Sequence, residues 1–354
     1  MKKTIRNIIL GFNVITVLAL LLSYLSIYCP PDKWWIPSLF GLAYPLILVV
    51  NIIFLIYWLF IYPRYALLSL IFILAGCGFI FRHIQFKGRS IEKGDLKIVS
   101  YNVQYFYGDG NSDQHSNAEK IINFLNERKA DIICLQEVRL RTNTIFNLNN
   151  TVERLIGINH YQYARSSTTY GSVTMTRFPI IKMGEIRFKN SRNITIYSDV
   201  LIQGDTVRIF NVHLQSYHID PNNYSVMDLS EINQEEDLRE MKEISLKFKN
   251  AIELRAEQVR EIRNYIDDSP YPVIVCGDFN DTPASYSYHK IASHLKDAFV
   301  CSGKGIGKTY IGGLPSVRID YILHSKSFKS YNFRTYDFRM SDHLPVSCEL
   351  VIEK

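Results

Sequence analysis

Several common chemistries are excluded first by what the chain lacks. Its six cysteines form no CxxC pair and no zinc-like spacing, so neither a disulfide framework nor a zinc module is implied. Cys134 and Cys276 stand inside apolar runs, where a small buried thiol fits. There is no Gly-rich phosphate loop of Walker type, no GxSxG elbow and no histidine pair at zincin spacing. No internal repeat or low-complexity tract occurs. Basic charge is also scarce where a duplex binder would need it. The formal charge is +6, yet from Asp95 onward 31 basic residues face 32 acidic ones. The basic excess belongs to the N-terminal part, and the remainder lacks the overall field of a dedicated DNA binder. A local basic groove stays open.

Long apolar runs, by contrast, are present three times: Ile8–Tyr28, Pro37–Tyr62 and Tyr65–Phe81. Each is near the ~20 residues that cross a bilayer. All three are apolar on every face, which a soluble core helix is not. Lys2, Lys3 and Arg6 precede the first run, but it is too long for a signal-peptide core. No small-x-small site precedes "CPPDKWW", and "SIYC" lacks the small residues expected before a lipidated cysteine. Trp34, Trp35, Tyr57 and Trp58 suit interfacial belts. The runs carry no embedded charge, which argues against a transporter. Four basic residues (Lys2, Lys3, Arg6, Arg64) on one side oppose five (Lys33, Arg82, Lys87, Arg89, Lys93) on the other. With no bias from charge, the usual dominance of the first span puts the C-terminal part outside the cytoplasm. The expected organisation is therefore a membrane anchor over 1–90, with spans near 8–28, 37–62 and 65–81, and a catalytic domain over 91–354. "FKGRSIEKGD" is the linker, and no obligate protein partner is inferred.

From Leu96 strands and helices alternate. "LKIVSYNVQYF" and "ADIICLQEV" read as strands around the amphipathic helix "NAEKIINFLNERK", with Ile121, Ile122 and Leu125 on its inner face. "GSVTMTRFPI", "NITIYSDVLIQ" and "DTVRIFNVHLQS" look like successive antiparallel strands. Asp220–Ser245 reads as a polar insertion or loop. "LKFKNAIELRAEQVREIRNYID" is a long helix with Ala251, Leu254, Val259, Ile262 and Ile266 inward. "VIVCGDFND", "RIDYILHS" and "SDHLPVSCELVI" complete the strands.

Polar residues recur at the ends of these apolar strands: Asn102, Glu137, His213, Asp278 with Asn280, and the pair Asp342–His343. Asp320 lies within the strand "RIDYIL". Read singly, each has an ordinary role, as strand-end hydrogen bonder, turn residue or core histidine. Jointly they fit one chemistry. Carboxylates and amides are the hard oxygen ligands that Mg²⁺ takes, and Glu137, Asp342, Asn102 and Asn280 offer them. Asp278 can accept a proton from an attacking water. His213 and His343 can donate to phosphoryl oxygens, with Asp320 fixing the tautomer of His343.

The ordered motifs "SYNVQ", "DIICLQEVR", "NVHLQS", "GDFND", "RIDYIL" and "SDHLPV" resemble the endonuclease/exonuclease/phosphatase superfamily, the deoxyribonuclease I-like fold, over about Leu96 to Ile352. The resemblance implies fold class α/β (α+β): a four-layer sandwich of two mostly antiparallel sheets flanked by helices, here preceded by three transmembrane helices. It implies Mg²⁺- or Mn²⁺-dependent cleavage of phosphodiesters or phosphomonoesters. Asn102 and Glu137 match the family's metal-site residues, and Asp342 a further metal ligand. Asp278 and Asn280 match the water-activating pair, and His343 with Asp320 the buried His–Asp pair at the phosphate. His213 matches the histidine of the deoxyribonuclease I-like, sphingomyelinase-like and inositol-phosphatase-like members. Arg139 resembles an arginine near the phosphate, and a solvated strand end describes it equally well. Gln104 stands where apurinic endonucleases of the superfamily carry aspartate, which argues against abasic-site repair.

The expectation is a membrane-anchored, metal-dependent phosphoesterase acting on a lipid headgroup, nucleic acid or small phosphoester. A non-specific nuclease of the same fold and an inert phospho-ligand-binding module are the alternatives. The Asp220–Ser245 segment is expected to border the substrate, although the five acids of "DLSEINQEED" suit no anion at close range.

Overall fold

The computed structural model describes residues 3–108, 113–139, 147–166, 170–217, 234–312 and 316–353. It divides into two compact units, Met1–His83 with Asp281–Lys290, and Ile84–Asn280 with Ile291–Lys354.

In the first unit the three apolar runs form five helices: α1 (Lys3–Leu25), α2 (Ile36–Leu42), α3 (Tyr44–Ile61), α4 (Pro63–Ala75) and α5 (Cys77–His83). Pro37, Pro45 and Pro63 occupy the first turns of α2, α3 and α4, where a missing N–H costs nothing. The second run therefore divides at Ala43, while α4 and α5 meet at a 61° bend. Two helices, α1 and α3, are long and apolar enough to cross a membrane, and the bent pair makes a third if it counts as one span. Polarity runs inside out. Phe12, Ile15, Ile53 and Phe60 are exposed, whereas Asn13, Ser23, Asn51 and Ser69 are buried. Asn13 Nδ2 donates to Ser69 Oγ (2.8 Å) and Asn13 Oδ1 accepts from Trp58 Nε1 (3.0 Å), while Asn51 Nδ2 donates to Thr16 O (3.0 Å). Interhelical bonds of this kind hold helices together where the surrounding solvent is itself apolar.

The second unit holds two six-stranded sheets. In chain order its elements are β1 (Leu96–Asn102), α6 (Gln114–Arg128), β2 (Ile132–Arg139), α7 (Leu148–Arg154), β3 (His160–Arg165), β4 (Tyr170–Thr176), β5 (Ile180–Arg187), β6 (Ile194–Ile202), β7 (Asp205–His213), α8 (Gln234–Asp267) and β8 (Val273–Asp278). They continue with α9 (Tyr286–Ala292), which starts in the helical unit, then β9 (Lys296–Asp297), α10 (Ala298–Ser302), β10 (Asp320–His324), β11 (Phe328–Thr335) and β12 (Val346–Ile352). Strand order is β11-β12-β1-β2-β4-β3 in one sheet and β5-β6-β7-β8-β10-β9 in the other. Each sheet has one parallel pair, β1 with β2 and β7 with β8, at its centre; the other pairings are antiparallel. Parallel neighbours need a long crossover, and α6 and α8 supply the two. The sequence places a loop through Ser245, but α8 already begins at Gln234, and 218–233 lie outside the described residues.

The sheets pack face to face. Ile98 and Cys134 of one meet Ile209, Cys276 and Ile322 of the other in a buried apolar layer. Ile121, Ile122 and Leu125 of α6 cover the outer face of the first sheet against Val99, Ile133 and Val173. On the second sheet, the ring of Tyr265 of α8 lies 5.9 Å from that of Tyr197. The layers are thus helix, sheet, sheet, helix, as the resemblance implies. Leu254 departs from its expected inward position: it is half-buried and lines a pocket described below.

Gly277 is required where β7 and β8 run side by side. Its φ is +139°, and a Cβ there would sit 2.0 Å from the carbonyl oxygen of Val212. Gly277→Ala is expected to part the strands and cost about 3 kcal/mol, lowering Tm by roughly 6–12 °C in a melting curve of the full chain in detergent. An unchanged Tm contradicts this account of the strand pair.

Candidate active site

Parallel central strands direct their C-terminal ends to the same side, and those ends carry the sequence's polar residues. Asn102 ends β1, His213 ends β7, and Asp278 ends β8. In register, His213 lies opposite Asp278, and Asp278 lies opposite Asp320 at the start of antiparallel β10. Asp342 and His343 precede β12, whose Val346 pairs with Ser100 of β1, so they reach the same edge.

Glu137 gets there by a distortion. The β2–β4 register shifts between Leu135 and Val138, and Glu137 sits in that bulge at φ +54°. Bulges re-aim side chains next to functional sites, and left-handed non-glycine residues persist only where surroundings enforce them. Beneath the bulge, buried Gln136 Nε2 donates to Asn211 Oδ1 (2.8 Å), and Asn211 Nδ2 donates to Val173 O (2.9 Å). Sequence reasoning passed over these two amides. The available signal was a polar residue inside an apolar strand, one or two positions before a site residue.

The side chains converge. Asn102 Nδ2 donates to Asp278 Oδ2 (3.0 Å) and Glu137 Oε1 (3.3 Å). His213 Nε2 lies 3.2 Å from Glu137 Oε1. His343 Nδ1 meets Asp320 Oδ2 at 2.9 Å, and its Nε2 lies 3.7 Å from Asp278 Oδ2 and 4.0 Å from Asp342 Oδ1. Asn280, itself at φ +51°, donates through its backbone N to Asp278 Oδ1 (2.8 Å) and through Nδ2 to Asp278 Oδ2 (3.0 Å). The structure thus brings together Asn102, Glu137, His213, Asp278, Asn280, Asp320, Asp342 and His343. It does not bring Arg139 with them, whose Nη1 donates to Gln114 Oε1 (2.6 Å). Asp281 accepts from Thr282 N (3.0 Å) and Ser287 Oγ (2.9 Å).

Gln104 acquires a place that the sequence did not reveal. Its backbone N donates to Asn102 Oδ1 (3.0 Å), and its Oε1 accepts from Asp342 N (3.1 Å). Gln104, Tyr105 and Phe106 are all left-handed, with φ of 43°, 54° and 65°. Beside them a pocket of about 320 Å³ opens from Glu137 and His213.

Electrostatics follow from burial. Desolvation pushes Asp278 up to about 6 despite His343 and His213 beside it. Asp342 is raised by burial too, against the pull of His343. Burial disfavours charge on Glu137, yet the His213 hydrogen bond and charge hold it below the ordinary carboxylate range. Burial likewise opposes the imidazolium form of His343, but the Asp320 and Asp278 carboxylates raise it well above the ordinary range. His213 is raised by Glu137 in the same way. Four carboxylates thus share two imidazoles, and none of the ion pairs that link these groups includes a lysine or arginine. A donor set of oxygens with surplus negative charge fits a hard divalent cation. Asn102 Oδ1 has spent one lone pair on Gln104 and keeps the other.

Comparison with known proteins accords with this geometry. A model described as "Endonuclease/Exonuclease/phosphatase family" matches residues 99–343. The chain belongs to that family. Its members hydrolyse phosphoesters, and the chain is accordingly a phosphoester hydrolase. A second model, "Domain of unknown function (DUF8431)", matches residues 6–83. No curated protein matches the chain. Among solved structures, an endonuclease/exonuclease/phosphatase from Beutenbergia cavernae is similar at 18% identity and TM-score 0.54, covering 73% of this chain and 71% of that one. A family protein from Leptotrichia buccalis (16%, TM-score 0.50) covers 72% and 99%, and the human Nocturnin catalytic domain with bound sulfate (18%, TM-score 0.50) covers 73% and 93%. At such identities these likenesses speak for the fold alone.

His343 yields a prediction with a definite sign. Its raised folded pKa means that its contribution to stability is complete below the unfolded value near 6.5 and is lost as pH rises through the folded value. In ¹³C-histidine NMR of the full chain, the resonance absent from His343→Asn is expected to stay protonated past pH 7. Asp320→Asn should bring it down, because burial then outweighs the remaining attraction. Titration near 6.5 in both proteins contradicts the His343–Asp320 coupling.

Proposed function

We propose that the chain is a Mg²⁺- or Mn²⁺-dependent phosphoesterase, held at a membrane by its N-terminal helices, that hydrolyses a phosphomonoester or phosphodiester by activated-water attack. One observation carries the reading: eight polar residues from six separate chain segments meet at one edge of the paired sheets, where each alone would be costly to bury. In this reading the anchor spans 1–90 and the catalytic domain 91–354, with that domain on the outer side by the first-span rule.

Glu137, Asp342 and Asn102 would hold the metal ion. Three buried groups, Asp278, Asp320 and His343, also lie close enough to share a cation. They suit one less well. His343 is driven toward its protonated form and already spends Nδ1 on Asp320, and an imidazolium cannot ligate. The side chains of Glu137 and Asp342 are 16% and 26% exposed, against 1% and 2% for Asp278 and Asp320. When bound, such an ion neutralises phosphoryl charge and acidifies water.

The chain's own groups do the rest. Asp278 accepts the proton of the attacking water, its two oxygens aimed by Asn280 and Asn102. His343, its Nδ1 fixed by Asp320, presents Nε2–H to a phosphoryl oxygen, and His213 presents a second donor. Both histidines are raised above their ordinary range, which favours the protonated, donating form.

The test uses the full chain in detergent, wild type beside Asp278→Asn, with Mg²⁺ or with EDTA. Substrates are p-nitrophenyl phosphate, bis(p-nitrophenyl) phosphate, plasmid DNA, sphingomyelin and inositol phosphates. The expected result is metal-dependent turnover by wild type, reduced about 10²–10⁴-fold in the variant. Below about pH 6 the wild-type kcat/KM should fall about tenfold per pH unit as Asp278 gains its proton. Phosphate binding without turnover of any substrate would move the assignment to a binding module.

A further inference from the structure

Beyond the reacting centre, the pocket that opens from Glu137 and His213 has one feature the mechanism leaves unused. Among the other described residues that line it, only Arg192 is charged. Arg192 is exposed on the turn between β5 and β6 and makes no hydrogen bond or ion pair among the described residues. An arginine on a loose turn would be an ordinary solvated charge. This turn is braced by buried groups. Ser191 Oγ accepts from Gln258 Nε2 (3.0 Å) and donates to Gln215 Oε1 (2.9 Å), and Gln258 Oε1 accepts from Gln215 N (2.9 Å). On the other flank of Arg192, Asn193 Nδ2 donates to Leu214 O (2.8 Å). Gln258 is 2% exposed and Gln215 9%.

The same carbonyl ties this turn to the reaction centre. Leu214 follows His213, and its oxygen also accepts from Asn280 Nδ2 (2.9 Å). The turn that carries Arg192 is thus fixed to the strand end that carries His213 and to the residue that aims Asp278. A guanidinium carried at a pocket wall by a braced turn can recognise phosphate or carboxylate by paired, charge-assisted hydrogen bonds.

We propose that Arg192 selects phosphoesters carrying a second anionic group, phosphate or carboxylate, on the part of the substrate that fills this pocket. The proposal rests on the phosphoesterase reading above, because the first phosphate is taken to sit among His213, Asp278 and His343.

Binding of non-hydrolysable probes separates the two. Inorganic phosphate and α,ω-alkane bisphosphonates with spacers of one to six carbons are titrated by calorimetry into the full chain in detergent, with free Mg²⁺ in excess. Wild type is expected to bind the best-spaced bisphosphonate at least about tenfold more tightly than phosphate. Arg192→Gln should bring that ratio near one, and Arg192→Lys, which keeps the charge without the fork, should fall between them. Equal affinities in wild type, or a preference unchanged in Arg192→Gln, overturn the role of Arg192 while phosphate binding leaves the phosphoesterase reading standing. Wild type that binds neither probe overturns both. A melting curve of each variant guards against a ratio altered by misfolding.

Discussion

Two carboxylates, Asp278 and Asp320, face each other across an antiparallel strand pair, each 1% exposed. Like charges in that position repel, and burial adds several kcal/mol to the cost of keeping either ionised. His343 is the group that makes the pair tolerable, with one nitrogen on Asp320 and the other near Asp278. Its own position is then constrained from the backbone. Ser341 Oγ accepts from His343 N (3.1 Å) and donates to Asn102 O (2.8 Å). Thr309 Oγ1 accepts from Asp320 N (3.0 Å). Geometry around one buried imidazole thus binds together the end of β1, the start of β10 and the segment before β12.

The architecture explains why so many segments can contribute. A parallel pair at the centre of each sheet delivers two strand ends to one edge, and face-to-face packing of the sheets brings the four ends together. Antiparallel neighbours then bring Asp320 and His343 to the same edge from the opposite chain direction. A single sheet could not bring these side chains together in this way. The bulge at Glu137 and the left-handed run from Gln104 to Phe106 are the local distortions that this convergence requires.

Much of this was legible in the sequence because the strands are apolar and the site residues interrupt them. "VIVCGDFND" announces both a buried strand and the polar end that joins the cluster, and Asp320 between Ile319 and Tyr321 demands a partner. Less legible were features that depend on contacts between distant segments. Gln104 reads as a missing aspartate, yet it bridges Asn102 and Asp342. Arg139, placed near the phosphate by resemblance and equally well described as a solvated strand end, donates to Gln114 of a distant helix. Ala284, four residues beyond the Asn280 that aims Asp278, packs with Leu20, Tyr44, Leu48 and Ile73 in the helical unit, which no local motif signals. Arg192 sits in an unremarkable polar turn, "NSRN", whose rigidity comes from Gln215 and Gln258, far away in sequence.

In the proposed reaction the carboxylates divide their work, with Glu137 and Asp342 for a cation and Asp278 and Asp320 for protons. Anomalous diffraction from crystals of the full chain grown with Mn²⁺ tests it most directly. A peak bounded by Glu137, Asp342 and Asn102, with His343 still on Asp320, is the predicted result. A peak coordinated by Asp278, Asp320 and His343 would contradict the division and, with it, the assignment of Asp278 as the group that receives the water's proton.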